Sequence, residues 1–270
     1  MITSLYSGIS GMRGFQTKLD VIGNNIANVN TVGFKKSRVM FQDILSQTVA
    51  GATAPGDETG GINPRQIGLG VRTAAIDVVH SAGSPLTTNL TTDLSIDGDG
   101  YFVVAPTEDG PQYLTRAGNF TRDANGNLVT SQGYFVLSAD GGIINIPREE
   151  YTSFSVDVNG NVVVTDAEGV TEPEYAVIGT TTINNPGGLK KVGGSLYEVT
   201  PNANPDGEFE ILPVTENNAG AIISGQLEMS NVELTEEFSE MIVAQRGFQA
   251  NARTITTSDS ILEEIVNLKR

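Results

Sequence analysis

Residues 24–35 have the sequence NNIANVNTVGFK, and this stretch marks a change from one kind of structure to another. Four asparagines fall within residues 24–30. Asparagine is a poor residue for a helix interior because its side chain competes for backbone hydrogen-bonding groups. Gly33 supplies a position that accepts a positive φ angle. The stretch therefore predicts the end of a helix followed by a specified turn.

Upstream of this stretch, apolar residues recur in alternating steps of three and four, which places them on one stripe of a helix. The stripe consists of Leu5, Met12, Phe15, Leu19, Ile22 and Ile26. Gly8, Gly11 and Gly14 fall near one face of the same helix. Because glycine costs about 1 kcal/mol in a helix interior relative to alanine, the three glycines indicate either a closely packed neighbour or a helix that is weak alone.

The C-terminal residues predict a longer helix. Ser230-Asn231-Val232-Glu233 has capping-box spacing, and no proline follows it. The apolar stripe consists of Leu234, Phe238, Met241, Phe248, Ile255 and Leu262. A helix of about 37 residues would span about 55 Å, which is long for a compact domain of this size. Such a helix is typical of a coiled coil or a bundle.

Between the helices, short apolar runs separated by turn residues predict an antiparallel β-rich region. The strongest hairpin signals are Asn125-Gly126 and Asn159-Gly160, and residues 143–146 predict one of several further strands. The segment from Val49 to Asn63 has no periodicity and predicts an extended linker or loop.

The predicted fold is therefore mainly β with long terminal α-helices. The predicted domains are a helical coiled-coil domain (1–30 and 232–270), a connecting segment (31–70) and a β-rich domain (71–231).

Composition excludes several classes of function. The chain has 32 acidic and 16 basic residues, which argues against nucleic-acid binding and against an anionic membrane surface as a partner. The absence of cysteine excludes disulfides and thiolate chemistry. No run reaches the roughly 18 apolar residues of a membrane span, so membrane insertion is not expected. The N-terminus lacks the basic head and apolar run of a cleaved signal peptide.

No catalytic, metal or cofactor site is predicted. The only histidine, His80, has no spacing to a second ligand or base. The loops that begin at Asp123 and Asp157 lack the glycine that a calcium loop needs at its sixth position. Asp97 and Asp99 lie in a glycine-rich turn without an aromatic platform nearby. Each of these features is better explained as a structural residue or a turn.

Residues 24–35, following directly on an amphipathic helix, closely resemble the signature of the bacterial flagellar rod and hook proteins. The signature positions are Asn24, Asn25, Ala27, Asn28, Gly33 and Phe34. Further matching motifs lie at residues 98–102, 115–120, 127–130 and 230–248. Motifs from both ends and from the middle occur in order, so the resemblance covers nearly the whole chain.

The resemblance implies a structural subunit that polymerises into the tubular axial part of the flagellum, transmits torque and encloses the export channel. The two terminal helices would form a coiled coil inside the tube, with the β domain further out, and the two apolar stripes would be the assembly seams. The implied partners are further copies of the chain, neighbouring rod, hook-cap and hook–filament junction proteins, and the flagellar export apparatus. Export by this apparatus implies a final location in the hook or basal body, without a cleaved signal peptide.

Two family members fit the length of the chain. The opening residues 5–12 and the closing residues 261–270 resemble a short hook protein, whereas the long segment 46–65 resembles the distal rod protein. We predict a short hook protein, with the distal rod protein as the alternative. An alternative of a different class is a secreted β-domain adhesin with oligomerising helical arms, although no cluster of aromatic residues marks a binding face; an enzyme is third.

Overall fold

The computed structural model describes residues 2–55, 60–108, 110–166, 168–216 and 219–268. Over these residues the chain is mainly β, with a long α-helix at each end and antiparallel strand pairing throughout. The predicted fold class is confirmed at this level. Two compact units are distinguished: a helical unit (Met1–Ala27, Ser37–Val78 and Glu233–Arg270) and a β unit (Asn28–Lys36 and Val79–Val232). The predicted domain boundaries stay a prediction.

The helical unit contains two helices and two strand pairs. Its described elements are α1 (Ile2–Ala27), β1 (Ser37–Asp43), β2 (Ser46–Ala50), β3 (Arg65–Gly68), β4 (Val71–Val78) and α2 (Leu234–Leu268). β1 pairs with β4, and β2 pairs with β3. Thr53 and Ile62 extend the β2–β3 hairpin through backbone hydrogen bonds of 3.0 and 3.1 Å. The segment from Val49 to Asn63 therefore includes paired backbone, which the prediction of a linker or loop missed.

The N-terminus of α2 differs from the predicted capping box. The first helical residue is Leu234, and the Glu233 carbonyl accepts a hydrogen bond from the Glu237 N–H at 3.0 Å. The Ser230 hydroxyl accepts from the Val232 N–H at 3.3 Å, so it serves the turn before the helix. The predicted role of Ser230 as the helix cap is wrong, because the helix begins three residues later than the motif suggested. Lys269 and Arg270, which the sequence places near the end of this helix, lie outside the described residues.

The β unit is built from short strands joined by tight turns. Its described strands are β5 (Pro85–Thr87), β6 (Leu94–Asp97), β7 (Tyr101–Ala105), β8 (Tyr113–Thr115), β9 (Phe120–Arg122), β10 (Leu128–Thr130), β11 (Phe135–Val136), β12 (Tyr151–Val156), β13 (Asn161–Asp166), β14 (Thr171–Val177), β15 (Thr180–Thr181), β16 (Lys190–Gly193), β17 (Leu196–Glu198), β18 (Ala221–Ser224) and β19 (Gln226–Glu228). Short 3-10 turns lie at Pro186–Gly188 and Pro205–Gly207.

The largest described sheet runs in the order β16-β17-β8-β7-β11-β10-β9, with β15 also paired to β7. β12, β13 and β14 form a second sheet, and β18 with β6 and β19 with β5 form two-stranded ladders. Both predicted hairpins are confirmed: Gly126 (φ 91°) turns β9 into β10, and Gly160 (φ 83°) turns β12 into β13. Residues 143–146 make isolated bridges instead of the predicted strand.

β7 lies between two apolar cores and is buried along its whole length. Its alternate residues face opposite sides, as strand geometry requires. Phe102 and Val104 belong to the larger core, where the Phe102 and Phe120 rings meet edge to face at 5.2 Å. Tyr101 and Val103 belong to the smaller core on the other side. The β unit thus has a self-contained interior.

Candidate assembly surface

The helices α1 and α2 of the helical unit pack closely and run antiparallel. A Cβ atom added at Gly8 would lie 3.3 Å from the Ile255 side chain, and one added at Gly247 would lie 2.5 Å from the Phe15 ring. Gly8, near the start of α1, lies against Ile255, whereas Phe15, further along α1, lies against Gly247, which is nearer the start of α2. The two helices therefore run antiparallel. The glycines in this contact therefore serve close approach of the helices, the first of the two explanations that the sequence left open.

The predicted seam residues have three degrees of burial. Ile22 is buried at 4% exposure. Leu5, Met12, Phe15, Leu19, Ile26, Met241, Phe248, Ile255 and Leu262 are half-buried. Leu234 and Phe238 are exposed, at 40% and 49%. Their role as seams between copies of the chain, and the coiled coil itself, stay predictions.

Two groups of apolar side chains on α2 remain open to solvent. The first, which we call the α2 stripe, is Leu234, Phe238 and Ile242, spaced four residues apart on one face. The second lies in residues 261–268, which we call the α2 overhang. Gly8 lies against Ile255, so at 1.5 Å per residue α1 reaches its described start at about residue 261 of α2. The overhang therefore extends past the described start of α1.

Asn25 of the signature ties three elements of the helical unit together. Its side-chain oxygen accepts from the Ser37 N–H at 3.0 Å, and its Nδ2 donates to the Ser37 carbonyl at 2.8 Å. Nδ2 also donates to Glu237 Oε2 at 3.2 Å. Asn25 is 1% exposed and Glu237 is 5% exposed. Asparagine is suited to this position because its amide offers a donor and an acceptor, and so pairs with the start of β1 as a peptide group would.

The second half of the signature belongs to the β unit. Gly33 has φ 65°, and a Cβ atom there would lie 2.5 Å from the backbone nitrogen of Ala117. Its N–H donates to the Glu228 carbonyl at 2.8 Å. The predicted need for glycine at this turn is confirmed by its positive φ, and the close backbone approach is an additional reason. Lys191 Nζ lies 4.7 Å from the centre of the Phe34 ring, a cation–π contact.

Glu228 is the centre of a buried ionic cluster in the β unit. Its Oε1 accepts from Lys35 Nζ at 2.6 Å and from the Gly83 N–H at 2.9 Å, and its Oε2 accepts from Arg116 NH1 at 3.2 Å. Lys35, Arg116 and Glu228 are 1%, 4% and 4% exposed. Burial lowers the pKa of Lys35, and the Glu228 carboxylate opposes that shift. The cluster joins the signature segment, β19 and the loop after β8.

Sequence reasoning missed this cluster. Lys35 and Arg116 stood inside motifs that carried the family resemblance, but no role was assigned to them, and Glu228 was not singled out. Asn231 was likewise placed only in a capping box and in a family motif, with no role assigned to its side chain. In the structure its Oδ1 accepts from the Lys36 N–H at 2.7 Å and its Nδ2 donates to the Val79 carbonyl at 2.8 Å. The only signal for the cluster in the sequence was the position of Lys35, which follows directly after the apolar residue Phe34 at the predicted turn.

His80 has a structural setting in the β unit. Its Nδ1 lies 2.8 Å from the Tyr101 hydroxyl, and its ring is 5.6 Å from the Tyr197 ring. Burial lowers the pKa of His80 to about 4, and Lys35, Lys191 and Arg116 add to the shift. Within the described ranges, no three His, Cys, Asp or Glu side chains form a group that could hold a metal ion. The described helices include none long and apolar enough to span a membrane.

Three family models match the chain in order along the sequence. The model described as flagella basal body rod protein matches residues 5–35. The flagellar hook protein FlgE/F/G D1 domain matches residues 95–164. The C-terminal model of the flagellar basal body rod FlgEFG proteins matches residues 223–268. The first match covers α1 from residue 5 onward together with the signature, and the third contains the whole of α2. The second lies within the β unit.

The chain is also similar over its full length to curated flagellar proteins. It is 55% identical to the flagellar basal-body rod protein FlgG of Bacillus subtilis and 39% identical to that of Borreliella burgdorferi, with all of both chains covered in each case. The flagellar hook protein FlgE of Borreliella burgdorferi is 28% identical, again with full coverage, over 447 aligned positions. The chain belongs to the family of flagellar basal-body rod and hook proteins, which are structural subunits of the flagellum and not enzymes.

Proposed function

We propose that the chain is the distal rod subunit of the flagellum and that it polymerises through its terminal helices into a tube. The tube would transmit torque and enclose the export channel. The prediction of a short hook protein is less well supported than its alternative. The alignment with the Bacillus rod protein needs 276 positions for 270 residues, whereas the alignment with the Borreliella hook protein needs 447 positions at 28% identity.

The observation that carries polymerisation is the apolar surface left open on the helical unit. Phe238 and Ile242 of the α2 stripe are 49% and 59% exposed. Large apolar patches on a soluble chain mark interaction sites. A coiled coil of α1 and α2 with helices of neighbouring copies would cover them. Other rod proteins, the hook and the export apparatus are proposed as further partners, and the basal body as the location.

Electron microscopy of the purified full-length chain under polymerising conditions tests this function. We expect straight tubes. Regularly curved tubes would favour the hook, and a chain that stays monomeric at all concentrations would contradict polymerisation.

A pair of matched variants tests the stripe itself. Phe238→Ser removes an apolar side chain that is 49% exposed, so completing its burial in the tube is worth about 0.7–1.5 kcal/mol per subunit. The substitution should therefore raise the concentration needed for assembly roughly threefold to tenfold. Ala250→Ser changes an exposed residue of α2 outside the stripe and should have little effect. Equal assembly by both variants would exclude the α2 stripe as a seam.

A further inference from the structure

A preformed groove crosses the helical unit between α1 and the residues around the start of β4. It encloses about 420 Å³, and its walls include Tyr6, Ile9 and Arg13 on one side and Leu69, Val71 and Arg72 on the other. The Val71 N–H donates to the Ser10 hydroxyl at 3.3 Å and so ties the two walls together. A Cβ atom at Gly70 would lie 2.3 Å from that hydroxyl, which shows how closely the walls approach.

The groove combines apolar side chains with uncompensated positive charge. Tyr6 is 67% exposed and Ile9 is 37% exposed. With the Gln42 side-chain amide turned so that its oxygen faces Arg72, this neutral oxygen accepts from Arg72 Nε and NH2 at 3.0 and 2.6 Å. Arg13 makes no ion pair with the described residues. The described lining residues include no carboxylate, so an occupant should be apolar and acidic.

The α2 overhang has that chemistry. Ile261, Ile265 and Leu268 are spaced as one helical face and are 48%, 48% and 86% exposed. Glu264 is exposed beside this face, whereas Glu263 lies on the opposite side of the helix. In its own chain the overhang extends past the described start of α1, so it is free to meet another molecule.

We propose that the α2 overhang of one copy docks in the α1 groove of the next copy along the tube. Ile261, Ile265 and Leu268 cover the apolar walls, and Glu264, which flanks that face, pairs with Arg13 or Arg72. This contact rests on the polymerisation proposed above and adds a head-to-tail direction to it, because groove and overhang are different surfaces. Two helical turns cannot bury the roughly 800 Å² per partner of a stable pair, so the contact should form only within a polymer.

Disulfide trapping tests the contact, and the absence of native cysteine makes it free of background. One preparation carries Ile9→Cys and the other carries Ile265→Cys, each with a different affinity tag. After co-assembly and mild oxidation we expect a disulfide-linked heterodimer that carries both tags. The matched control is Ile9→Cys mixed with Gln249→Cys, an exposed site elsewhere on α2. This mixture should give at least fivefold less disulfide-linked heterodimer. Phe238→Cys is tested as a third partner to represent the α2 stripe.

The outcomes separate the contact from the proposed function. The docking is overturned, and polymerisation is left intact, if tubes form without enrichment of the heterodimer between Ile9→Cys and Ile265→Cys. The same conclusion follows if Ile9→Cys forms the heterodimer with Phe238→Cys instead. Absence of tubes from the parent chain overturns both. If only the cysteine variants fail to assemble, a charge exchange decides. Arg13→Glu or Glu264→Lys alone should each raise the critical concentration about twofold to fivefold, and the double variant should return it to within about twofold.

A matched charge exchange guards against a general effect of net charge. Arg246→Glu changes an exposed arginine of α2 outside the groove. Combined with Glu264→Lys, it should leave the loss caused by Glu264→Lys unrepaired. If Arg246→Glu restores the critical concentration of the Glu264→Lys variant as completely as Arg13→Glu does, the specific pairing of Arg13 with Glu264 is overturned.

Discussion

The helical unit and the β unit place their apolar side chains in opposite ways. Among the described residues, the fully buried apolar side chains lie almost entirely in the β unit, with Ile22 and Ala244 as the exceptions. Most of the exposed large apolar side chains, such as Phe238 and Ile242, lie in the helical unit. The β unit encloses its own apolar core, whereas the helical unit leaves many large apolar side chains exposed to solvent.

The two units also differ in how they use charge. The β unit buries Lys35, Arg116 and Glu228 together. The helical unit keeps most of its charges at the surface, as in the Lys18–Glu240 pair on the two helices. Buried ions are costly to desolvate and so depend on their partners. The β unit therefore satisfies its apolar and ionic groups internally, whereas the helical unit leaves apolar surface that the proposed polymerisation would cover.

The largest expected effect is the loss of Glu228. Glu228→Ala leaves Lys35 and Arg116 buried without their carboxylate, and removing one partner of a buried ion pair costs about 3–5 kcal/mol. Calorimetry of the full-length chain should show a marked fall in the unfolding temperature of the β unit. Glu198→Ala is the control, since it removes a surface pair with Lys190 worth about 1 kcal/mol at most. Equal losses in the two variants would mean that the buried cluster contributes no more than a surface pair.

The second effect tests the close packing of the β unit. A Cβ atom at Gly118 would lie 1.7 Å from the Leu94 carbonyl oxygen. The backbone must move to accept Gly118→Ala, which should cost about 3 kcal/mol. A Cβ atom at Gly142 would meet nothing within 4 Å, so Gly142→Ala should change stability by no more than about 0.5 kcal/mol. Chemical denaturation of both variants measures the difference, and a neutral Gly118→Ala would show that this backbone contact is easily relaxed.

What the sequence predicted and what it missed follow from the range of the interactions. The helices and the Asn-Gly hairpins come from spacings within a few residues, and these were predicted correctly. The Glu228 cluster joins residues 112 and 193 positions apart, so each member stood in the sequence as an ordinary single charge. The β2–β3 pairing was missed because its two short strands, SQTVA and RQIG, are mostly polar and show no alternation of apolar and polar residues. For the assembly surface, the apolar stripes were visible, but which of their residues stay exposed depends on the register of α1 against α2.

The third effect concerns the helix pair. Phe248 is half-buried on α2, so Phe248→Ala should cost about 2 kcal/mol, less than the 3–5 kcal/mol of a fully buried aromatic residue. If α2 is a seam, sedimentation should show assembly at a much higher concentration or not at all, with an unchanged β-unit melting transition. Gln249→Ala, an exposed neighbour, is the control. Parent-like assembly by both variants would exclude this part of α2 from the seam.

The fourth effect is a pH dependence of the β unit. The pKa of His80 is about 4 in the folded chain and about 6.5 when unfolded. Between these values the unfolded chain binds a proton that the folded chain does not, so the free energy of unfolding falls as pH drops from about 6.5 to about 4. Because His80 is partly exposed, it should account for on the order of 1–2 kcal/mol of the fall in the free energy of unfolding over this pH range. His80→Gln should lack this share of the acid sensitivity, and identical pH profiles of parent and variant would contradict the assignment.

The smallest effect has the opposite sign and belongs to the helical unit. Gly23 is exposed on α1, and a Cβ atom there would meet nothing within 4 Å. Gly23→Ala should therefore stabilise α1 by about 0.8–1.0 kcal/mol through helix propensity alone, seen as a higher melting temperature by far-UV circular dichroism. Gly11→Ala is the matched variant, because its Cβ atom would lie 2.9 Å from the Asn251 side chain and should cancel the gain. A stabilised Gly23→Ala monomer that no longer assembles would place this bare face of α1 against a neighbouring copy, whereas a destabilised monomer would contradict the packing of α1 described above.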